Sequence, residues 1–193
     1  MKHASKLVLA TALTVASGPA LAHVGVGPTA GLAAGAVHPL TGIDHLLAMV
    51  AVGLWAAQLG GRSVWALPAA FMTAMALGAV TGMAGLAVPF VETGIVLSVI
   101  LLGVAIAASF RPNAAVGMAA VALAGVLHGH AHGTEMPLDA SGLTYAAGFL
   151  AATAALHAAG VLLGKTSSRG AVVARAAGGL VCASGLMLAA GIL

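Results

Sequence analysis

The chain has 193 residues, of which 61% are hydrophobic and only 6% are charged, and its formal net charge is +3. Soluble domains carry about a quarter charged residues, so this composition excludes a soluble domain and predicts a membrane protein. The few basic residues give no reason to expect a nucleic-acid partner. The single cysteine, Cys182, excludes an intramolecular disulfide and a thiolate cluster for a metal.

Residues 1–22 have the pattern of a secretory signal peptide. Two lysines precede a short apolar run, and Ala20-Leu21-Ala22 is a small-residue cleavage pattern. Because the run is too short to cross a bilayer, we expect a mature chain that begins at His23 on the outer side of the membrane. Residues 23–193 then form a single transmembrane domain. His23 could chelate a divalent metal through its new α-amino group and its imidazole, or it could be incidental.

About six apolar stretches follow, each near the length that a helix needs to cross a bilayer. They cover residues 39–59, 64–82, 93–110, 114–132, 142–163 and 176–193. The sequence therefore predicts an all-α fold, a polytopic membrane helix bundle of about six transmembrane helices after the cleaved signal peptide. Residues 29–37 fit either a short outer helix or a re-entrant segment.

The positions of the basic residues predict the orientation of the bundle. Every lysine or arginine of the mature chain lies in alternate connections between the spans. These residues are Arg62, Arg111, Lys165, Arg169 and Arg175. The positive-inside rule makes these connections cytoplasmic, which agrees with the outer N-terminus that the signal peptide implies. Six spans then return the C-terminus to the outer side as well.

Ionisable residues interrupt the first span at His38, Asp44 and His45. A charged group at the centre of a membrane helix costs at least about 2.5–3.5 kcal/mol on insertion scales, so a functional role is expected. On one continuous helix His38 and His45 would share a face and could line a cation path. Asp44 could complete a ligand set with a neighbouring helix or orient an imidazole ring. Because Pro39 favours an extended backbone at the preceding residue, we expect the helix to begin at Pro39 with His38 just outside it.

A second, histidine-rich cluster ends the fourth span. His128, His130 and His132 alternate and are followed by Glu135. On a helix, His128 and His132 share one face with His130 opposite, while the intervening glycines permit local unwinding that could gather more imidazoles around one ion. The alternative is a surface loop with weak adventitious metal affinity. The predicted topology puts both clusters at a similar depth, as expected for one metal-collecting site.

His157 lies about four turns into the fifth span, nearer the cytoplasmic side, where it could be a relay ligand or a buried core residue. The combined donor set consists of imidazoles and carboxylates. Such ligands suit nickel, cobalt, zinc, iron or copper(II), whereas magnesium and calcium favour sites made of oxygen alone. The residues therefore predict a divalent transition-metal ion as the partner.

Two motifs carry a resemblance to a known family. His-Pro-Leu-Thr-Gly-Ile-Asp-His-Leu-Leu-Ala-Met at 38–49 and His-Gly-His-Ala-His-Gly-Thr-Glu at 128–135 resemble the signatures of the HupE/UreJ family of hydrogenase and urease accessory membrane proteins. The resemblance implies uptake of nickel, and in some members cobalt, across the bacterial inner membrane. It also implies that the histidines and the aspartate of these motifs are metal ligands. The predicted metal ligands are His38, Asp44, His45, His128, His130 and His132, together with Glu135, His157 and His23.

We therefore expect a nickel or cobalt permease of the bacterial inner membrane, with both mature ends in the periplasm. It would not be an enzyme, and it would hold no permanent cofactor. Two positive charges moving inward gain about 4.6 kcal/mol per 100 mV of inside-negative potential. Passive permeation followed by capture on a cytoplasmic metallochaperone or nickel enzyme would therefore suffice. Two alternatives stay open: a haem-binding electron carrier, and a metal-dependent hydrolase in which Glu135 or Asp139 acts as the base.

Overall fold

A computed structural model describes residues 31–136, 140–166 and 170–193. The predicted signal peptide (1–22), His23 and Asp139 lie outside these ranges. Within them the chain is α-helical and has no strand, which confirms the predicted all-α fold. The helices are α1 (Leu32–Thr41), α2 (Ile43–Leu59), α3 (Ser63–Met83), α4 (Val91–Ala107), α5 (Ala114–Glu135), α6 (Ala140–Thr166) and α7 (Gly170–Ala189).

Several of these helices have the length and composition of membrane spans, so the chain is a multi-pass membrane protein. In the described residues, four helical segments are long and apolar enough to cross a bilayer. They are Ser63–Met83, Ala114–Glu135, Gly142–Lys165 and Ala171–Ala189. Helices α1 and α2 add a fifth if they are taken together as one broken span, and α4 is shorter, with 17 residues. The predicted count of six is therefore not confirmed.

The first apolar stretch, predicted as one span over 39–59, is broken in the structure. Helix α1 ends at Thr41, and Gly42 has an extended backbone with φ −82° and ψ 115°. Beyond it, α2 turns through 84° relative to α1. Of the ambiguous segment 29–37, the part from Leu32 onward is helical and belongs to α1.

The expectation that a helix begins at Pro39, with His38 outside it, is wrong. Pro39 lies inside α1, and His38 belongs to the last turn of the same helix. The fixed φ of proline is compatible with a helix. Pro39 is also buried, and this packing outweighs the usual preference of the preceding residue for an extended backbone. His38 and His45 consequently lie on two different helices, and the single stripe expected for them does not form.

Helix α2 occupies the middle of the bundle, and every residue from Ala48 to Ala56 except Val50 is buried. Helix α6 packs along α1 and α2 through glycines. A Cβ on Gly35 of α1 would lie 1.9 Å from the backbone oxygen of Tyr145, and one on Gly53 of α2 would lie 2.2 Å from that of His157. Small residues allow helix backbones in lipid to touch in this way. The contacts fix α6 beside the break between α1 and α2.

Helices α3 and α5 form a second close pair. A Cβ on Gly129 would lie 1.9 Å from the backbone oxygen of Met75, and one on Gly133 would lie 2.1 Å from that of Ala79. The expected local unwinding at these glycines does not occur, because α5 continues without a break to Glu135. The glycines instead allow the backbone of α5 to lie directly on α3.

Replacing Gly129 tests this packing. Gly129→Ala should destabilise the chain by about 1–3 kcal/mol, the usual cost of overpacking a tight interface, because the added methyl overlaps a backbone oxygen that cannot rotate away. Gly179→Ala on α7 is the matched control, since its Cβ would meet nothing within 4 Å. Thermal unfolding in detergent, followed by circular dichroism, measures both variants. Equal melting temperatures would contradict the predicted contact.

Candidate metal centre

Four imidazoles from three helices meet where α1, α2 and α5 converge. They are His38 on α1, His45 on α2, and His128 and His132 on α5, here called the histidine cluster. The ring centroids are 4.8 Å apart for His38 and His132, 4.3 Å for His45 and His132, and 5.0 Å for His45 and His128. His38 is half-buried, and the other three rings are buried. The structure thus brings together two sequence motifs that are about 90 residues apart.

The hydrogen bonds of the cluster determine where its ring protons lie. Nδ1 of His45 is 2.9 Å from Oδ1 of Asp44, and Nδ1 of His128 is 2.9 Å from the backbone oxygen of Ala124. A carboxylate and a carbonyl oxygen can only accept, so both Nδ1 atoms carry the hydrogen. In the neutral ring, Nε2 then holds the lone pair. This is the form in which histidine binds a metal, with its other nitrogen donating to a carboxylate or a carbonyl.

Nε2 of His45 and Nε2 of His132 contact each other directly across the helix interface. Two lone pairs cannot face each other at such a contact, so a proton or a cation must lie between them. A proton and a metal ion therefore compete for this space. Asp44 stands behind His45 and is itself buried, so its carboxylate orients the ring that faces His132.

Glu135 completes a possible ligand set with His38 and His132. One ligand atom from each of these residues lies within 4.8 Å of the other two. Metal–ligand bonds of about 2.0–2.2 Å separate two ligands of one ion by about 3–4 Å, so a small closing movement would bring the three atoms onto one ion. Glu135 is half-buried. Together with Asp44 it supplies two carboxylates, which match the charge of a divalent cation.

Aromatic side chains that the sequence analysis missed enclose the cluster. The ring of Phe149 on α6 lies 4.6 Å from that of His132, and Tyr145, one turn earlier, lies 5.9 Å from His38. On another side, Phe71 of α3 lies 5.6 Å from His128. The four-residue spacing of Tyr145 and Phe149 predicts a shared helix face. Only the packing of α6 on α1 directs that face toward the histidines.

Two predicted ligands lie apart from the cluster. His130 is on the opposite face of α5, where its Nδ1 is 3.1 Å from Oγ1 of Thr81 on α3. The hydroxyl of Thr81 donates to the backbone oxygen of Gly78 at 2.6 Å, so it accepts from His130. His157 is buried on α6 beside Phe71, with a distance of 5.2 Å between the two ring centroids.

Comparison with known proteins decides the family. The sequence pattern of the HupE / UreJ protein family matches residues 11–188, which include both motifs of the site. The chain belongs to the HupE/UreJ family. It is similar to the protein named Protein HupE of Rhizobium leguminosarum bv. viciae, with 45% identity over 186 residues that cover 95% of this chain and 97% of that protein. No solved structure is significantly similar to this chain.

Membership of the HupE/UreJ family confirms the resemblance that the two motifs carry. The family consists of accessory proteins and is associated with the handling of nickel and cobalt. The prediction that the chain is not an enzyme is therefore confirmed. The alternative of a metal-dependent hydrolase, with Glu135 or Asp139 as its base, is withdrawn.

Substitution of His132, which belongs to the histidine cluster, and of His130, which does not, tests the arrangement. His132→Ala should weaken binding of Ni²⁺ to the purified chain at least about tenfold, since even groups that only orient a ligand are worth that much. His130→Ala should leave the affinity nearly unchanged, because its ring bonds Thr81 on the far side of α5. Competition with a chelator in detergent measures both affinities. A larger loss in His130→Ala than in His132→Ala would contradict the arrangement.

Proposed function

We propose that this HupE/UreJ protein is a permease that moves Ni²⁺, and also Co²⁺, inward through a path lined by histidine and aspartate. The observation that carries the proposal is the contact between Nε2 of His45 and Nε2 of His132, with the carboxylate of Asp44 behind it. This arrangement is buried among apolar helices. An ionisable group in such surroundings is expensive unless it has a function.

The donor set favours nickel and cobalt over harder or softer ions. It offers imidazole nitrogens and carboxylate oxygens, which suit divalent ions of the middle and late first transition row. Magnesium and calcium favour oxygen alone. Copper(I) favours sulfur, and Cys182 lies on α7, a helix that contributes nothing to the cluster. Nickel and cobalt are therefore the proposed substrates, and we propose no permanently bound cofactor.

Asp44 acts in this proposal through His45. Its carboxylate accepts the hydrogen of Nδ1, which fixes the ring and makes the opposite nitrogen a stronger donor. Its negative charge also offsets part of the charge of the arriving ion. Of the two roles that the sequence left open for Asp44, the orienting role is the one that the hydrogen bond supports.

Haem binding is the weaker candidate for the same histidines. A haem held by two histidines has its porphyrin ring between the two imidazoles. His45 and His132 contact each other directly, which leaves no space for a porphyrin there. A single metal ion requires the two nitrogens to lie only about 3–4 Å apart, a much smaller separation than a porphyrin would require.

Transport would be driven by the membrane potential. A divalent ion gains about 4.6 kcal/mol per 100 mV when it moves toward a negative interior. The proposal includes the bacterial inner membrane as location, a signal peptide over 1–22, and mature ends in the periplasm. A cytoplasmic metallochaperone or a metalloenzyme such as hydrogenase or urease would receive the ion.

Substitution of Asp44 tests the function. Asp44→Asn keeps the size and an acceptor oxygen but removes the charge, so nickel uptake by cells should fall at least about tenfold while insertion survives. His45→Ala should behave likewise, because it removes a nitrogen ligand. Leu46→Ala is the control, since it changes a half-buried apolar neighbour. Uptake is normalised to the amount of inserted protein, and parental uptake by Asp44→Asn would exclude this stretch from the path.

A further inference from the structure

His157 is a buried imidazole whose polar atoms have no partner among the described residues. Its exposed fraction is 2%, and neither Nδ1 nor Nε2 makes a hydrogen bond. Thr153 lies one helical turn earlier on the same face of α6. It is fully buried, and its hydroxyl also lacks a partner. Buried polar groups are nearly always hydrogen-bonded, so three unsatisfied atoms on one helix face need an explanation.

Phe71 lies between His157 and His128 of the histidine cluster. Its ring contacts His157 edge-on, with 5.2 Å between centroids and an interplanar angle of 83°. It also contacts His128, with 5.6 Å between centroids. The backbone oxygen of Phe71 lies against Gly125 of α5, where an added Cβ would be 2.4 Å away. The backbone at Phe71 is therefore fixed, and the side chain is the part that can move.

We propose that His157 and the hydroxyl of Thr153 form a second, inner binding position for the transported divalent ion. Phe71 separates this position from the histidine cluster. The inference rests on the proposed function, because the ion is the one that the cluster admits. Rotation of the Phe71 side chain would connect the two positions.

The chemistry of the inner position fits release better than capture. One imidazole and one hydroxyl give an ion only two protein ligands and no carboxylate, so it keeps part of its water shell and binds weakly. The histidine cluster supplies four imidazoles, with the carboxylates of Glu135 and Asp44 beside them. Conduction requires sites that an ion can leave as well as reach, and a weak position after a stronger one meets that requirement.

A role for His157 in core packing alone leads to different expectations. A histidine that serves only the core would be hydrogen-bonded, and an apolar side chain of similar size would suit these surroundings at least as well. His157→Leu should therefore keep or raise the melting temperature while it removes the inner ion. This combination separates ion binding from packing.

Counting bound ions on the purified full chain tests the inference. With Co²⁺ as the probe in detergent, the parent chain should bind two ions of unequal affinity, and His157→Leu should bind only the tighter one. Thr153→Val, which removes the hydroxyl without changing the shape, should weaken the second ion several-fold. Ala158→Leu is the matched control. It adds the same side chain at the next, exposed position and should retain both ions.

Uptake by cells completes the test. His157→Leu should lose at least nine-tenths of its Co²⁺ uptake, and Ala158→Leu should retain it. Two bound ions and parental uptake in His157→Leu would overturn the inner position. A parent chain with a single Co²⁺, lost in His45→Ala and kept in His157→Leu, would overturn it while the permease stands. Two bound ions in a parent chain that carries none across the membrane would overturn the permease and leave the inner position standing.

Discussion

Contact between helix backbones, which glycine makes possible, is the constraint on which the histidine cluster depends. Gly129 and Gly133 hold one face of α5 against α3. His128 and His132 each precede one of these glycines by a single residue, so they lie about 100° around the helix, on the neighbouring face. That face turns toward α2 and His45. A side chain on these glycines would push α5 away from α3 and would displace the imidazoles that now meet.

The histidine cluster costs folding free energy when no metal ion is bound, and a bound ion offsets that cost. A buried carboxylate loses its hydration, which costs several kcal/mol unless partners compensate. Asp44 is compensated by the Nδ1 hydrogen of His45. The two Nε2 atoms of His45 and His132, however, must share a proton when no metal is present. A divalent ion satisfies both nitrogens at once. Because it binds only the folded chain, it also stabilises that chain in proportion to its concentration.

Much of the site could be predicted from residue type and helical period. Alternation along α5 predicted that His128 and His132 share a face with His130 opposite, and the bond from His130 to Thr81 agrees with this. The break at Gly42 could not be predicted in the same way. Pro39 offered a strong local signal for a helix start, yet its burial against neighbouring helices determined the outcome. Contacts between distant parts of the chain override local preference in such cases.

Contacts between distant parts of the chain also explain why the aromatic side chains around the histidine cluster could not be predicted from the sequence. The same holds for the unpartnered polar atoms on α6. Tyr145, Phe149, Thr153 and His157 recur every four residues, a period that predicts one helix face. The period does not reveal what that face meets. Gly35 and Gly53 determine it, because they let α1 and α2 lie against α6. One face of α6 thus borders both the histidine cluster and the proposed inner position.

Nickel K-edge X-ray absorption tests the central claim most directly. The sample is the purified chain loaded with one Ni²⁺ per molecule. The account predicts a shell of nitrogen and oxygen neighbours with the outer-shell scattering of at least two imidazole rings, and no sulfur. A shell of oxygen atoms without imidazole scattering, or a shell that contains sulfur, would contradict the claim that the histidine cluster binds the ion.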